Sequence, residues 1–257
     1  MNPVILLVDD NEEIVDFLTD DLGCKYTVRS AYNGKEALNI LQNESAHLVV
    51  SDIMMPEMDG YELCSSIKQN VDYSHIPVIL LTAKNTLQSR IEGLEHGADA
   101  YVEKPFSPEY LHAQIACLLL NRNKIKEHFA NSPLVHIKSM AYSKADEKFL
   151  EELNNSIIAN LENSDLDVEQ LAKVMNMSRP TLYRKIKAVS DLTPNELINI
   201  TRLKRAAELL SEEDYKIYEV ADMVGFSSHT NFGRSFVRQF GVTPKDYASL
   251  KRKQLHN

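Results

Sequence analysis

Leu48-Val49-Val50-Ser51-Asp52-Ile53-Met54-Met55-Pro56 is an apolar run that ends on one carboxylate and then turns. Three other apolar runs end on polar groups in the same manner. Val4-Ile5-Leu6-Leu7-Val8 leads to Asp9-Asp10, Val78-Ile79-Leu80-Leu81 to Thr82, and Tyr101-Val102 to Glu103-Lys104-Pro105. In a parallel α/β sheet the carboxyl ends of the strands converge on one edge, where ligands bind. Three carboxylates, a hydroxyl and an ammonium therefore gather there. Clustered carboxylates repel unless a cation or a shared proton relieves them, and hard oxygen donors suit Mg²⁺. The pattern predicts a phosphoryl-accepting site with Asp52 as the acceptor.

Working outward, strands are expected near Val4–Val8, Tyr26–Arg29, Leu48–Ser51, Val78–Leu81 and Ala100–Val102. Amphipathic helices are expected over Glu12–Leu22, Lys35–Gln42, Tyr61–Gln69, Thr86–His96 and Pro108–Leu120. Five such alternations imply an α/β domain, a five-stranded parallel sheet doubly wound by helices. Asn33-Gly34, Asp59-Gly60 and Gly97-Ala98 punctuate the connections. From Asp146 the chain reads as all-α. Phe149, Leu150, Leu153, Ile157, Ile158 and Leu161 recur at helical spacing, and no glycine follows until Gly225. After Leu120 the pattern weakens into a helix tail and then a linker, and the expected organisation is a first domain at 1–122, a linker at 123–145 and a helical domain at 146–257.

The 257 residues allow two domains, and 25% charged with 44% hydrophobic residues is an ordinary globular balance. The apolar runs are too short to span a bilayer and no signal-peptide pattern opens the chain, so a cytoplasmic location without membrane contact is expected. Cys24, Cys64 and Cys117 are odd in number and lack metal-ligand spacing, which fits free or buried thiols in a reducing compartment. The net charge of -9 conceals an asymmetry. Residues 1–122 carry 8 Lys/Arg against 19 Asp/Glu, whereas 179–253 carry 14 against 9. An acidic front and a basic tail point to two tasks, the second on a polyanion.

The helical part contains an internal echo. Leu171-Ala172 and Val220-Ala221 each lie about seven residues before a serine, Ser178 and Ser228. Each serine opens a helix that carries an arginine six residues on, Arg184 and Arg234, and each copy ends at a Thr-Pro pair, Thr193-Pro194 or Thr243-Pro244. Two helix-turn-helix units in tandem are expected, joined by a helix from Pro194 to Leu210.

Residues 3–122 resemble the receiver domain of bacterial two-component response regulators. The likeness is carried by Asp9-Asp10, Asp52 with Met54-Met55-Pro56, Asp59-Gly60, Thr82-Ala83 and Lys104-Pro105-Phe106, in that order. It implies Mg²⁺ held by Asp9, Asp10, Asp52 and the Met54 carbonyl, with Asp52 phosphorylated as an acyl phosphate. By the same likeness Thr82 hydrogen-bonds the phosphoryl group, Lys104 neutralises it, the Lys104-Pro105 bond is cis, and Tyr101 is the aromatic that rotates inward on activation.

Residues 146–251 resemble the AraC/XylS family of DNA-binding domains, chiefly through Val224-Gly225-Phe226-Ser227-Ser228, Asn231-Phe232, Arg234, Phe236, Arg238, Phe240-Gly241, Thr243-Pro244 and Tyr247. Recognition helices then run about Ser178–Val189 and Ser228–Gln239 and enter successive major grooves roughly 34 Å apart. Outward candidates for contact are Arg179, Pro180, Thr181, Tyr183 and Arg184 in the first, and His229, Thr230, Asn231 and Arg234 in the second. Arginine pairs bidentately with guanine and asparagine with adenine. Lys185, Lys187, Arg202, Lys204, Arg205, Arg238 and Lys245 are expected on phosphates or in solvent.

The two resemblances together imply a phosphorylation-dependent transcription activator, not an enzyme. Its partners would be a histidine kinase, promoter DNA, RNA polymerase and a second copy on DNA. Ser143–Leu150 also resembles the start of the output domain in one-chain hybrid sensor kinases that govern carbohydrate-utilisation genes, so an excised segment of such a protein is an alternative. A phosphotransfer module whose helical domain only docks proteins is a further one, as is a constitutive DNA binder whose receiver merely dimerises.

Overall fold

The computed structural model describes residues 2–83, 95–131, 137–212 and 215–255. Five strands, β1 (Val4–Val8), β2 (Thr27–Ala31), β3 (Leu48–Asp52), β4 (Val78–Thr82) and β5 (Ala100–Glu103), form one parallel sheet in the order β2-β1-β3-β4-β5. Successive side chains of a strand point to opposite faces, and here both faces are covered. Leu6, Val8, Val49, Val78 and Leu80 pack on one side with Ala37 and Leu41 of α2 (Gly34–Asn43) and Leu63, Cys64 and Ile67 of α3 (Gly60–Gln69). Ile5, Leu7, Leu48, Val50, Ile79 and Leu81 pack on the other with Val15, Leu18 and Leu22 of α1 (Glu12–Gly23) and Leu111 and Ile115 of α4 (Pro108–Asn131). Burial on both faces is why the strands read as unbroken apolar runs rather than alternating ones. The helix expected over Thr86–His96 falls largely on 84–94, outside the described residues.

Three helix starts are fixed by side chains that accept otherwise orphaned backbone N–H groups. Asn11 caps α1 through Glu13, and Asn33 caps α2 through Glu36. Asp59 and Glu62 form a reciprocal capping box at α3.

The second part is all-helical: α5 (Lys144–Ala159), α6 (Val168–Val174), α7 (Arg179–Ser190), α8 (Pro194–Glu212), α9 (Ile217–Met223), α10 (His229–Phe240) and α11 (Pro244–Leu255). Phe149, Leu153, Leu171, Leu182, Ile186, Leu203, Val220, Phe232 and Phe236 lie in one core, and α8 touches α7, α9, α10 and α11. The two helix-turn-helix units, α6–α7 and α9–α10, share their turn geometry. Met177 N–H bonds to the Ala172 carbonyl and Phe226 N–H to that of Ala221, both across five residues. That closure is the Schellman motif, which needs a left-handed residue, supplied by Asn176 (φ 52°) and Gly225 (φ 76°). A Cβ at Gly225 would lie 2.2 Å from the Leu161 carbonyl oxygen, so the second copy requires glycine where the first tolerates asparagine.

The stretch expected as a linker carries regular structure. α4 continues past Leu120 to Asn131, and Ile137–Met140 form a 3₁₀ turn. By contact grouping the chain divides into Met1–Lys124 with Tyr142–Asp146, and Ile125–Ala141 with Glu147–Asn257. Among the described residues no helix is long and apolar enough to cross a membrane.

Thiol reactivity checks the packing. Cys64 is buried, its Sγ donates to the His96 carbonyl at 3.4 Å, and burial pushes its pKa up to about 12. Cys24 and Cys117 are exposed. Since the thiolate is the reactive form, an aromatic disulfide reagent should titrate Cys24 and Cys117 promptly and Cys64 only after denaturation.

Candidate functional site

The carboxyl edge of the sheet gathers the predicted groups. Asp52 closes β3 and is 7% exposed, and Asp9 follows β1 and is 1% exposed. The Lys104 ammonium, just past β5, lies 2.6 Å from Asp52 Oδ1 and 2.9 Å from Asp9 Oδ2. The remaining carboxylate oxygens are held by backbone: Asp52 Oδ2 accepts the Met54 N–H at 2.8 Å, and Asp9 Oδ1 accepts that of Asn11 at 3.0 Å. Burial disfavours the charged form of Lys104, but its hydrogen bonds to Asp52 and Asp9 outweigh this and hold its pKa above the ordinary lysine value. Lys104 N–H bonds to the Thr82 carbonyl, and the Lys104-Pro105 peptide is cis, as the receiver resemblance implied.

Thr82 ends β4 beside these groups and is buried, and Tyr101 is half-buried on β5 against the apolar cluster of α2 and α3. Asp10 and the Met54 side chain face solvent. A Cβ at Gly60 would lie 2.2 Å from the Asp52 carbonyl oxygen, so glycine at the start of α3 lets the loop from Asp52 fold back closely. Sequence reading missed the roles of Gly60 and Asn11, although the Asp59-Gly60 turn and the Asn-Glu-Glu helix start were both visible signals.

Among the described residues no three metal-ligating side chains are assembled as a cage. The two carboxylates at this edge, Asp9 and Asp52, fit Mg²⁺ nonetheless, because that ion keeps several waters and uses one or two carboxylates plus phosphate oxygens.

In the helical unit, Arg179, Pro180, Tyr183 and Arg184 on α7 are exposed, as are Thr230, Asn231 and Arg234 on α10. Thr181 is half-buried, and its hydroxyl and N–H both engage Ser178, the cap of α7. His229 is exposed, but its Nε2 is 2.9 Å from Asp222 Oδ1 on α9, a partner the sequence reading did not single out. The pair spans a turn, so no helical periodicity reveals it.

Two basic residues expected on phosphates or in solvent lie inside instead, and a third is half-buried. Lys185 is 2% exposed with its ammonium 5.7 Å from the Phe149 ring centre. Arg202 is 6% exposed and donates to the Asn163 carbonyl. Lys204 stands 3.9 Å over the Phe129 ring, and burial pushes its pKa down to about 8. Their aliphatic stems fill the core while the charge finds a ring or carbonyl. Lys187, Arg238 and Lys245 are exposed, and Arg205 pairs with Glu208.

Residues 5–116 match the response regulator receiver domain family, and residues 171–249 match a helix-turn-helix domain family. Over 250 residues, 97% of this chain, the sequence is 38% identical to "Histidine kinase P4" of Formosa agariphila, and the match covers 18% of that protein. It is 48% identical over 116 residues to "Probable transcriptional regulator ycf27" of Cyanophora paradoxa, covering 45% of this chain and 47% of that one. A receiver domain of a signal transduction histidine kinase from Syntrophus aciditrophicus is 36% identical, covering 46% of this chain and 91% of that structure, with a TM-score of 0.45. The chain thus spans less than a fifth of the first relative and about half of the second.

Two titrations follow from these charges. Replacing Lys104 with Met leaves Asp9 and Asp52 without their cation and should cost about 1–3 kcal/mol at pH 7. A raised lysine pKa gives stability that is full below about pH 10.4 and fades as pH rises through the folded value. The gap between wild type and Lys104→Met in chemical denaturation should therefore close at strongly alkaline pH, and a pH-independent gap would refute the pairing. Lys204 has the opposite sign: its depressed pKa penalises folding fully below about pH 8, and the penalty fades towards pH 10.4. Lys204→Met should stabilise by about 1–2 kcal/mol at pH 7, after allowance for partial exposure, with the gain vanishing above pH 10.

Proposed function

We infer, for a chain that contains a response regulator receiver domain at 5–116 and a helix-turn-helix domain of AraC type at 171–249, a DNA-binding transcription regulator controlled by phosphorylation of Asp52. The single observation that carries this is the Lys104 ammonium bonded to two buried carboxylates from different strands. It is a preformed positive clamp where phosphoryl charge would arrive, and phosphoryl transfer depends chiefly on positioning and charge stabilisation.

In the reaction, an Asp52 carboxylate oxygen attacks the phosphorus of a phosphohistidine on a histidine kinase. The P–N bond breaks, an acyl phosphate forms, and the leaving imidazole takes up a proton. Lys104 neutralises the added charge and Thr82 donates a hydrogen bond to a phosphoryl oxygen. Asp9, Asp10, Asp52 and the Met54 carbonyl would hold Mg²⁺, which when bound supplies further positive charge to the phosphoryl oxygens. Movement of the Thr82 loop leaves room for Tyr101 to turn inward, a two-state element of the kind switches require. The protein itself catalyses no turnover reaction.

The helical unit binds promoter DNA with α7 and α10 in successive major grooves. Arg184 and Arg234, at matching places in the two copies, read bases together with Arg179, Tyr183, Thr230 and Asn231, while Thr181 and His229 are held by Ser178 and Asp222 at the helix starts. The regulator acts as a homodimer on repeated half-sites and as an activator in contact with RNA polymerase. The 250-residue match to a histidine kinase supports a second reading, in which the same two domains serve as the output segment of a one-chain sensor kinase.

Enrichment of genomic DNA fragments on the protein, with and without beryllofluoride and Mg²⁺, tests the main reading. A repeated motif should be retained about tenfold more tightly with the phosphoryl mimic, a difference of about 1.4 kcal/mol. Asp52→Ala should erase that gain. Arg184→Ala and Arg234→Ala should each cost about 1–3 kcal/mol at their own base positions. Equal enrichment in both conditions would remove Asp52 from control of binding, and absence of salt-sensitive DNA affinity would remove the DNA reading.

A further inference from the structure

Tyr142–Asp146 follows the stretch expected as a linker, yet these five residues group with the receiver unit. Asp146 is fully buried. Its Oδ1 accepts the Ser74 hydroxyl at 2.7 Å, and its Oδ2 accepts the Tyr142 N–H at 3.3 Å. Ser74 is also fully buried, in the connection between α3 and β4. Its partner Asp146 lies 72 residues away in sequence. The Tyr142 hydroxyl donates to the Arg122 carbonyl at 2.9 Å, and the Arg122 guanidinium stacks 4.2 Å over the Tyr142 ring. Asp99 Oδ1 is 3.9 Å from that guanidinium, while its Oδ2 takes the Lys68 ammonium at 2.6 Å and the Val78 N–H at 2.8 Å. Burial lowers the pKa of Arg122 from its ordinary value, with Asp99, Tyr142 and Asp146 opposing.

The network starts where β4 begins, at the sheet edge away from Asp52, and finishes in the first turn of α5. A passive tether has no use for a buried carboxylate, because that group is costly unless every oxygen is bonded. A polar seat has another property. On release its groups recover hydrogen bonds from water, so the net advantage of being seated is small and the contact is reversible. An apolar seat of equal size would stay shut.

We propose that Tyr142–Asp146 is a releasable strap of the receiver, seated on Ser74 and Arg122, which links the state of Asp52 to the helix Lys144–Ala159 that it begins. The proposal rests on the phosphorylation-switched reading above. In the full chain, hydrogen exchange of the Tyr142 and Asp146 amides should quicken when beryllofluoride and Mg²⁺ are added. Ser74→Ala should quicken it without the mimic by about fivefold, the worth of one net hydrogen bond, and should bring the ratio of DNA affinities with and without mimic close to one. Tyr142→Phe, which keeps the ring beneath Arg122, should do the same to a smaller extent and covers the case in which Ser74→Ala fails to fold. If the mimic alters exchange around Asp52 and Thr82 but leaves 142–146 untouched, the strap is refuted and the switch survives. A wild-type affinity ratio in both variants refutes the strap as well. If the mimic alters neither region, the phosphorylation reading falls and the strap falls with it.

Discussion

The Lys104 ammonium, 2.9 Å from Asp9 and 2.6 Å from Asp52, is the contact on which the receiver unit depends. Two carboxylates that are almost fully buried would otherwise face each other across β1 and β3, in surroundings where charge is costly. One cation from β5 relieves both and ties three strand ends together. The loop from Asp52 is shaped around the same requirement. Gly60 lets it fold within 2.2 Å of where a Cβ would stand, and the Met54 N–H takes the second carboxylate oxygen. Structure and chemistry are one arrangement here, since whatever neutralises the resting carboxylates also serves the arriving phosphoryl group.

Most of this edge was legible in the sequence because apolar runs ending on polar groups survive translation into a sheet almost unchanged. All five strands were anticipated to within two residues at either end. What showed only as a helix tail was how far the continuation runs. After Leu120 the polar Asn121-Arg122-Asn123-Lys124 breaks the apolar period, yet α4 goes on to Asn131 because Phe129 is buried in the second core. Lys185 illustrates the opposite failure. It shares one helical face with Leu182, Ile186 and Val189, so its spacing already pointed inward. Its charge suggested the surface, and tertiary burial of its long stem prevailed.

The helical unit is a repeated device in which the two copies have diverged. Backbone closure is the same in both turns, with Asn176 in one and Gly225 in the other. The side chains differ where they meet solvent. Lys173 and Arg179 of the first copy stand where the second has Asp222 and His229, a paired couple. The first copy therefore presents the exposed guanidinium of Arg179 at the start of its second helix, with Lys173 paired to Glu169 one helix earlier, and the second copy a constrained imidazole. Two readers built on one backbone plan thus differ in how much of their grip is plain charge and how much is shape.

The order of the strands has a consequence for the way the chain is made. β1 is made before the other four strands but lies in the sheet between β2 and β3, and the cation that settles its carboxylate arrives only with Lys104. Long-range pairings of this kind cannot be rewarded until the distant partner is present. For the time needed to synthesise about a hundred residues, Asp9 and then Asp52 must stay hydrated. The nascent segment is thereby kept open by its own acids, and the last strand to appear is the one that allows the sheet to close.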